Sequence, residues 1–322
     1  MKRFYISPPL AALLLAVVLF LLSGLLPNGY GNDIEVARAQ ATNIVRLAVF
    51  LGVIAAGQTL IIISGSEGID LSSGSVVTLT AILTYVIVNG EDDKVLLAFM
   101  VSLVAGAIVG LLNGVGITYL KVSPFVMTLG MSGVVTGAII VLNHGNVSGK
   151  IAPVMTRLIA RPFSESIPIP NAVIIWLIFG LLMWVVLERT SFGKNLFALG
   201  VNRVTARLSG VNVTGMNLAV YSLAGALAGF GGFLVVGNTG VVFINLGQPF
   251  LFPSIAAVAV GGTLLSGGKG SYWGSMAGAI VLTLITSLLT TMQMPDSIRR
   301  MVLGGTLLVL ISIYGRQRSL RQ

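Results

Sequence analysis

The sequence predicts an all-α, polytopic integral membrane protein of about ten transmembrane helices, some short or broken, forming a single transmembrane domain over residues 1–322. Three observations carry this expectation. Hydrophobic residues make up 55% of the chain and charged residues only 9%, against roughly 25% charged in soluble domains, so the chain cannot cover a water-facing surface. The apolar residues fall into runs close to the ~20 residues that cross a bilayer. The loops between them hold most of the Lys and Arg.

In order, the runs are 8–26, 44–63, 69–88, 95–120, 125–142, 172–187, 216–236, 251–265, 272–291 and 298–314. The first follows Lys2 and Arg3 and reads as an uncleaved anchor, because it is long and no small-x-small site closes it near Leu22-Ser23-Gly24. The third and eighth meet their loops through Gly and Ser, which predicts half-helices joined to irregular backbone. Small residues recur four apart at Gly106, Gly110 and Gly114, at Gly133 and Gly137, at Gly225 and Gly229, and at Gly274 and Gly278. Such spacing lets helix backbones approach closely.

Ten spans place both termini on one side. Lys2, Arg3, Lys121, Arg189, Lys194, Arg203, Arg207, Lys269, Arg316, Arg318 and Arg321 fall on that side, with Glu91-Asp92-Asp93 opposite. Both termini are therefore predicted to be cytoplasmic. The external loop 143–170 carries Lys150, Arg157 and Arg161 against this trend, and a helix is expected in it between Pro153 and Pro162.

Several chemistries are disfavoured. With no cysteine there are no disulfides, thiolate metal sites or cysteine nucleophiles. The net charge of +9 is not organised for nucleic acid, since no basic patch is interleaved with aromatics. Carriers driven by ion gradients keep ionisable groups inside the spans, whereas here Asp70 is the only plausible case and the lone histidine, His144, reads as a loop residue. Gly267-Gly268-Lys269 resembles the end of a phosphate loop, but Thr263 stands where that motif needs Gly and Gly270 where it needs Ser or Thr. No catalytic residue and no metal site is predicted, and any work driven by ATP has to come from another subunit.

The loop 188–212 has its own punctuation. Asn202 can cap a helix of about two turns and Gly210 can take the left-handed turn that ends it. A helix this short is not stable alone in water, so a partner is expected to grip it.

Four ordered blocks resemble the ribose-type permeases of ATP-binding-cassette (ABC) importers: Gly57-Gln58-Thr59-Leu60 with Gly68-Ile69-Asp70-Leu71-Ser72-Ser73-Gly74-Ser75; Pro124-Phe125-Val126-Met127-Thr128-Leu129-Gly130; Ala206-Arg207-Leu208-Ser209-Gly210; and Val258 through Gly268. The resemblance implies a multi-pass subunit of the bacterial inner membrane. It would pair with a second permease subunit, like or unlike itself, and with two ATPases that hold ATP and magnesium. A periplasmic binding protein would deliver a monosaccharide. The coupling helix would then be Asn202, Arg203, Arg207, Leu208, Ser209 and Gly210 with the residues between. The chain departs from the family pattern where Ser66 and Glu67 lengthen the turn before Ile69, and at Thr136-Gly137, where many sugar permeases have Arg-Gly. The latter leaves substrate choice open to another small solute such as a signalling furanose, a nucleoside or an amino acid.

A neutral sugar needs donors and acceptors without strong charge. The candidates are Gln58, Asn113, Thr128 and Asn238, for which packing between helices is the competing role. Asp70 and Ser72 are expected to cap the third span. Gly261, Gly262, Gly267 and Gly268 crowd the end of the short eighth run and are the expected hinge. An independent channel or secondary carrier is the alternative from another class and would need an ion site within the spans.

Overall fold

Helix caps and breaks, more than hydropathy, set the lengths of the elements. The computed structural model describes residues 7–26, 29–31, 33–65, 68–143, 147–162 and 169–319. Lys2, Arg3, Ser66, Glu67, His144 and Arg321 lie outside the described residues. All ten apolar runs form helices: α1 (Pro8–Gly24), α2 (Ile34–Ile63), α3 (Ser73–Val88), α4 (Val95–Thr118), α5 (Pro124–Asn143), α7 (Asn171–Arg189), α10 (Val213–Thr239), α11 (Leu251–Val260), α12 (Tyr272–Thr291) and α13 (Asp296–Ser319). Three short helices stand between them: α6 (Pro153–Ile159), α8 (Ser191–Val201) and α9 (Arg203–Leu208). No β-strand forms among the described residues, which hold one isolated bridge between Pro162 and Pro170.

Among the described residues six helices are long and apolar enough to cross a membrane: α2, α4 with the turn before it, α5, α7, α10 and α12. α1, α3 and α11 are apolar but shorter. The structure corrects three boundaries. α2 starts ten residues before the expected run because Asp33 Oδ1 accepts from the N–H groups of Glu35 (2.9 Å) and Val36 (3.2 Å). That cap fixes a helix start that hydropathy does not register. The third run was expected from residue 69, but 68–72 is not α-helical and α3 begins at Ser73. The eighth run was expected to reach 265, but α11 stops at Val260.

Packing reveals an internal repeat. α2 to α5 and α10 to α13 follow the same order: a long helix, a non-helical entry, a short helix, then two longer ones. α4 packs on α10 as α12 packs on α2, α3 lies against α10 as α11 lies against α2, and the two long helices touch each other. The α2 end and the α10 start lie on the same face as α9, so the two long helices run in opposite directions. This is the inverted arrangement that places broken helices at mid-membrane depth. α1 packs on α12, and α6 closes the opposite face over the end of α10.

Close crossings follow the glycines. A β-carbon on Gly225 would strike the Gly106 carbonyl and the reverse holds, Gly110 lies on the Tyr221 carbonyl, and Gly229 on that of Ser102. Gly278 meets Ala257 in the same way between α12 and α11. Gly133 and Gly137 carry the same spacing on α5 but face open space. Gly225→Ala is therefore expected to lower the Tm of the purified protein, because overpacking a tight crossing costs about 1–3 kcal/mol. Gly137→Ala should leave it unchanged or slightly raised, Ala being the better helix former by about 1 kcal/mol. Thermal unfolding in detergent checks this, and equal losses in both variants would contradict the crossing.

Candidate functional site

The break between α2 and α3 is closed by side chains. Buried Gln58, five residues before the end of α2, donates from Nε2 to the Asp70 carbonyl (2.6 Å) and to Ser73 Oγ (3.2 Å), and its Oε1 accepts from the Asp70 N–H (3.3 Å). The next N–H, of Leu71, donates to Thr128 Oγ1 on α5 (3.0 Å). The third, of Ser72, donates to Asp70 Oδ1 (2.8 Å), which also accepts from Ser72 Oγ (2.6 Å). Asn113 on α4 donates from Nδ2 to Ser72 Oγ (2.9 Å). Three successive backbone donors ahead of α3 thus find partners from three different places in the fold. Thr128 uses its own hydrogen on the Pro124 carbonyl at 2.9 Å.

From the other face, residues 240–250 enter the bundle without forming an α-helix. The Gly247 N–H donates to Thr78 Oγ1 on α3 (3.0 Å), and a β-carbon there would run into the Gly74 carbonyl and Val77. A 3-10 turn at Gln248–Phe250 then starts α11. α3 has sixteen residues and α11 ten, or about 24 Å and 15 Å at ~1.5 Å per residue, both short of a ~30 Å core. Both begin inside the protein, where the only non-helical backbone a membrane tolerates is backbone buried in protein or lining a cavity.

On the α9 face three loops are clasped through glycine. The Gly268 N–H donates to the Ile63 carbonyl at the end of α2 (2.9 Å). Gly200, near the end of α8, presses on that carbonyl and on Gly268, while Gly267 and Gly65 touch each other. Gly65, Gly262, Gly267 and Gly268 all have positive φ, which other residues adopt only with strain. Gly262 faces Pro8, and Gly261 lies on the start of α12 at Gly274.

α9 follows directly. Asn202 Oδ1 accepts from the N–H groups of Val204 (2.9 Å) and Thr205 (3.1 Å), and Gly210, at φ +85°, ends the helix with its N–H on the Arg207 carbonyl (3.0 Å). Ala206 is buried, Val204 and Leu208 are 70% and 83% exposed, and Arg207 and Ser209 are exposed beside them. Arg203 turns inward, donating from Nη2 to Asn217 Oδ1 on α10 (3.2 Å). Burial pushes its guanidinium below the ordinary pKa. The loop also holds α8, capped by Thr190 Oγ1 on the Gly193 N–H (3.3 Å), which the sequence reading missed. Thr190 four residues ahead of a lysine, with Phe192, Leu196 and Leu199 on a helical period, was the available signal.

The structure therefore brings Gln58, Asn113, Thr128, Asp70 and Ser72 into one cluster, and Gly267 and Gly268 into another beside α9. Asn238 stands apart, next to Gly237, which packs on Ile159 and Met155 of α6. Asn113 Oδ1 and Asn238 Oδ1 are buried acceptors without a partner among the described residues. No group of three or more His, Cys, Asp or Glu that could hold a metal occurs among the described residues.

A family model described as branched-chain amino acid transport system / permease component matches residues 40–311. The ribose import permease protein of Bacillus subtilis (strain 168) is 32% identical over 86% of this chain and 84% of its own length. The galactose/methyl galactoside import permease protein of Salmonella typhimurium is also 32% identical, over 84% and 82%. The fructose import permease protein of Rhizobium meliloti is 28% identical over 97% and 87%. No solved structure matches the chain. The resemblance read in four sequence blocks thus extends along the molecule, and the chain belongs to the permease-component family of ABC import systems.

Proposed function

We propose that this chain is the transmembrane permease subunit of an importer that moves a monosaccharide, driven by ATP hydrolysis in separate subunits. The observation that carries the reading is α9. A six-residue helix is capped at both ends, follows directly on the glycine clasp, and presents Val204, Arg207 and Leu208 outward. An exposed apolar and basic helix in that position suits docking to a soluble partner. The partners are two ATPases, which hold ATP and magnesium, a binding protein on the opposite face, and a second permease subunit. The open small-residue face of α5 around Gly133 and Gly137 suits the last of these. The chain itself takes no cofactor and catalyses no reaction. Both termini and α9 then lie on the cytoplasmic side of the inner membrane.

Transport proceeds by alternating access, with the glycines at 261, 262, 267 and 268 as the hinge of the α11–α12 turn. Gln58 and Thr128 have their polar groups engaged, so they act on the solute by holding the break. Asn113 and Asn238 keep acceptors free for sugar hydroxyls. The curated relatives named above are permeases for ribose, galactose and fructose, all neutral polyols, which favours a sugar. The description of the family model keeps an amino acid as the second reading. A zwitterion would need charged partners, and Asp70 is the one charged side chain among the buried described residues.

Arg207→Glu is expected to weaken ATPase binding, and Gly210→Pro to abolish transport because proline is fixed near φ −65° where the chain needs +85°. Both variants should still insert. Sugar-stimulated ATP hydrolysis by the reconstituted complex checks this, and full stimulation in both would remove α9 from docking. Proteoliposomes containing the complex should also accumulate sugar on ATP with an uncoupler present. Uptake by this chain alone, lost on adding uncoupler, would make it a secondary carrier.

A further inference from the structure

Of the two arginines on α9, Arg207 is exposed and Arg203 faces the bundle. Its guanidinium makes one hydrogen bond to protein, through Nη2 to Asn217, and its Nε is buried with no partner among the described residues. Half-burying a cation with so few partners is unfavourable, and an exposed position would relieve the cost. Asn217 and Tyr221 lie one turn apart on α10, at 6% and 5% exposure. Tyr221 sits where α10 crosses α4. Its backbone carbonyl is the surface on which Gly110 of α4 rests. From Asp70 the hydrogen bonds continue through Ser72 to Asn113, also on α4.

The local backbone does not itself tie the inner face of α9 to α10. α9 is strung between Asn202, extended at φ −158°, and Gly210, left-handed at φ +85°. The glycine clasp fixes only its start. Held by Ala206 alone, a six-residue helix could roll in place when pushed.

We propose that Arg203 is a positioning residue that pins the inner face of α9 to α10 through Asn217, so that displacement of α9 is delivered across the α10–α4 crossing at Tyr221 and Gly110, and on through Asn113 and Ser72, to the break at Asp70 rather than absorbed by the loop. This rests on α9 being the docking helix. Its chemistry is a cation held against a buried acceptor, Asn217 Oδ1, which a neutral side chain of similar length cannot replace.

The test uses the permease reconstituted with its ATPases and binding protein, comparing Arg203→Met, Arg203→Lys and Asn217→Leu with wild type. Two quantities are read: the affinity for the ATPase subunit, and sugar molecules moved per ATP hydrolysed. Arg203→Met and Asn217→Leu should bind the ATPase within about twofold of wild type yet move about tenfold less sugar per ATP, the scale of a typical coupling energy. The double variant should be no worse than either single one, and Arg203→Lys should recover part of the ratio. Wild-type stoichiometry in both single variants would overturn the proposal. So would a loss of ATPase affinity in Arg203→Met, which would make Arg203 a docking contact. Arg207→Glu is the reference: if it leaves ATPase affinity intact, the assignment of α9 fails, and this inference with it.

Discussion

Backbone that leaves a helix inside a membrane protein must find hydrogen-bond partners within the fold, because each bare N–H or carbonyl costs several kcal/mol in hydrocarbon. At 70–72 that requirement is met by Gln58, Thr128 and the Asp70 side chain, one for each successive N–H. The rest of the interior follows. Because α3 can start below the membrane surface, its first turn is open to the incoming loop, and Gly247 fits against Gly74 with its N–H on Thr78. That contact in turn lets α11 begin inside the bundle and end after ten residues.

The same bonds tie helices that are distant in sequence. Gln58 belongs to α2, Thr128 to α5 and Asn113 to α4, so the break is a shared joint rather than a loose loop. In the proposed transport cycle, a push on α9 has two routes to this joint. One is the glycine clasp at Gly200, Gly65 and Gly268, which is backbone against backbone and stiff. The other passes through α10 side chains and depends on their chemistry. α4 and α10 cross too closely at Gly106 and Gly225 to slide independently, so movement of α10 carries α4 with it.

The ten apolar helices were legible because a bilayer selects for length and apolarity, which any window of sequence displays. The ends of α9 were legible because Asn202 and Gly210 act on backbone within three residues of themselves. The start of α2 escaped detection because Asp33 opens a polar first third that carries Glu35, Arg38 and Asn43. Gln58, Asn113 and Thr128 could be chosen as polar residues inside apolar runs, but their convergence on Asp70 and its neighbours joins residues up to 59 positions apart and is tertiary information. Spacing alone also failed to separate Gly225 and Gly229, which sit in a tight crossing, from Gly133 and Gly137, which do not. Arg203 and Arg207 read alike in the sequence, and Asn217, fourteen residues on, is what distinguishes them.

The central claim is that side-chain hydrogen bonds hold the break between α2 and α3. Hydrogen–deuterium exchange of the amides at 70–72, in wild type and in Thr128→Val, tests it most directly. The account predicts slow exchange at all three in the wild type, and in the variant a selective rise at Leu71 with the amides of α2 unchanged. Rapid exchange across 70–72 in the wild type, or no change at Leu71 when Thr128 loses its hydroxyl, would contradict it.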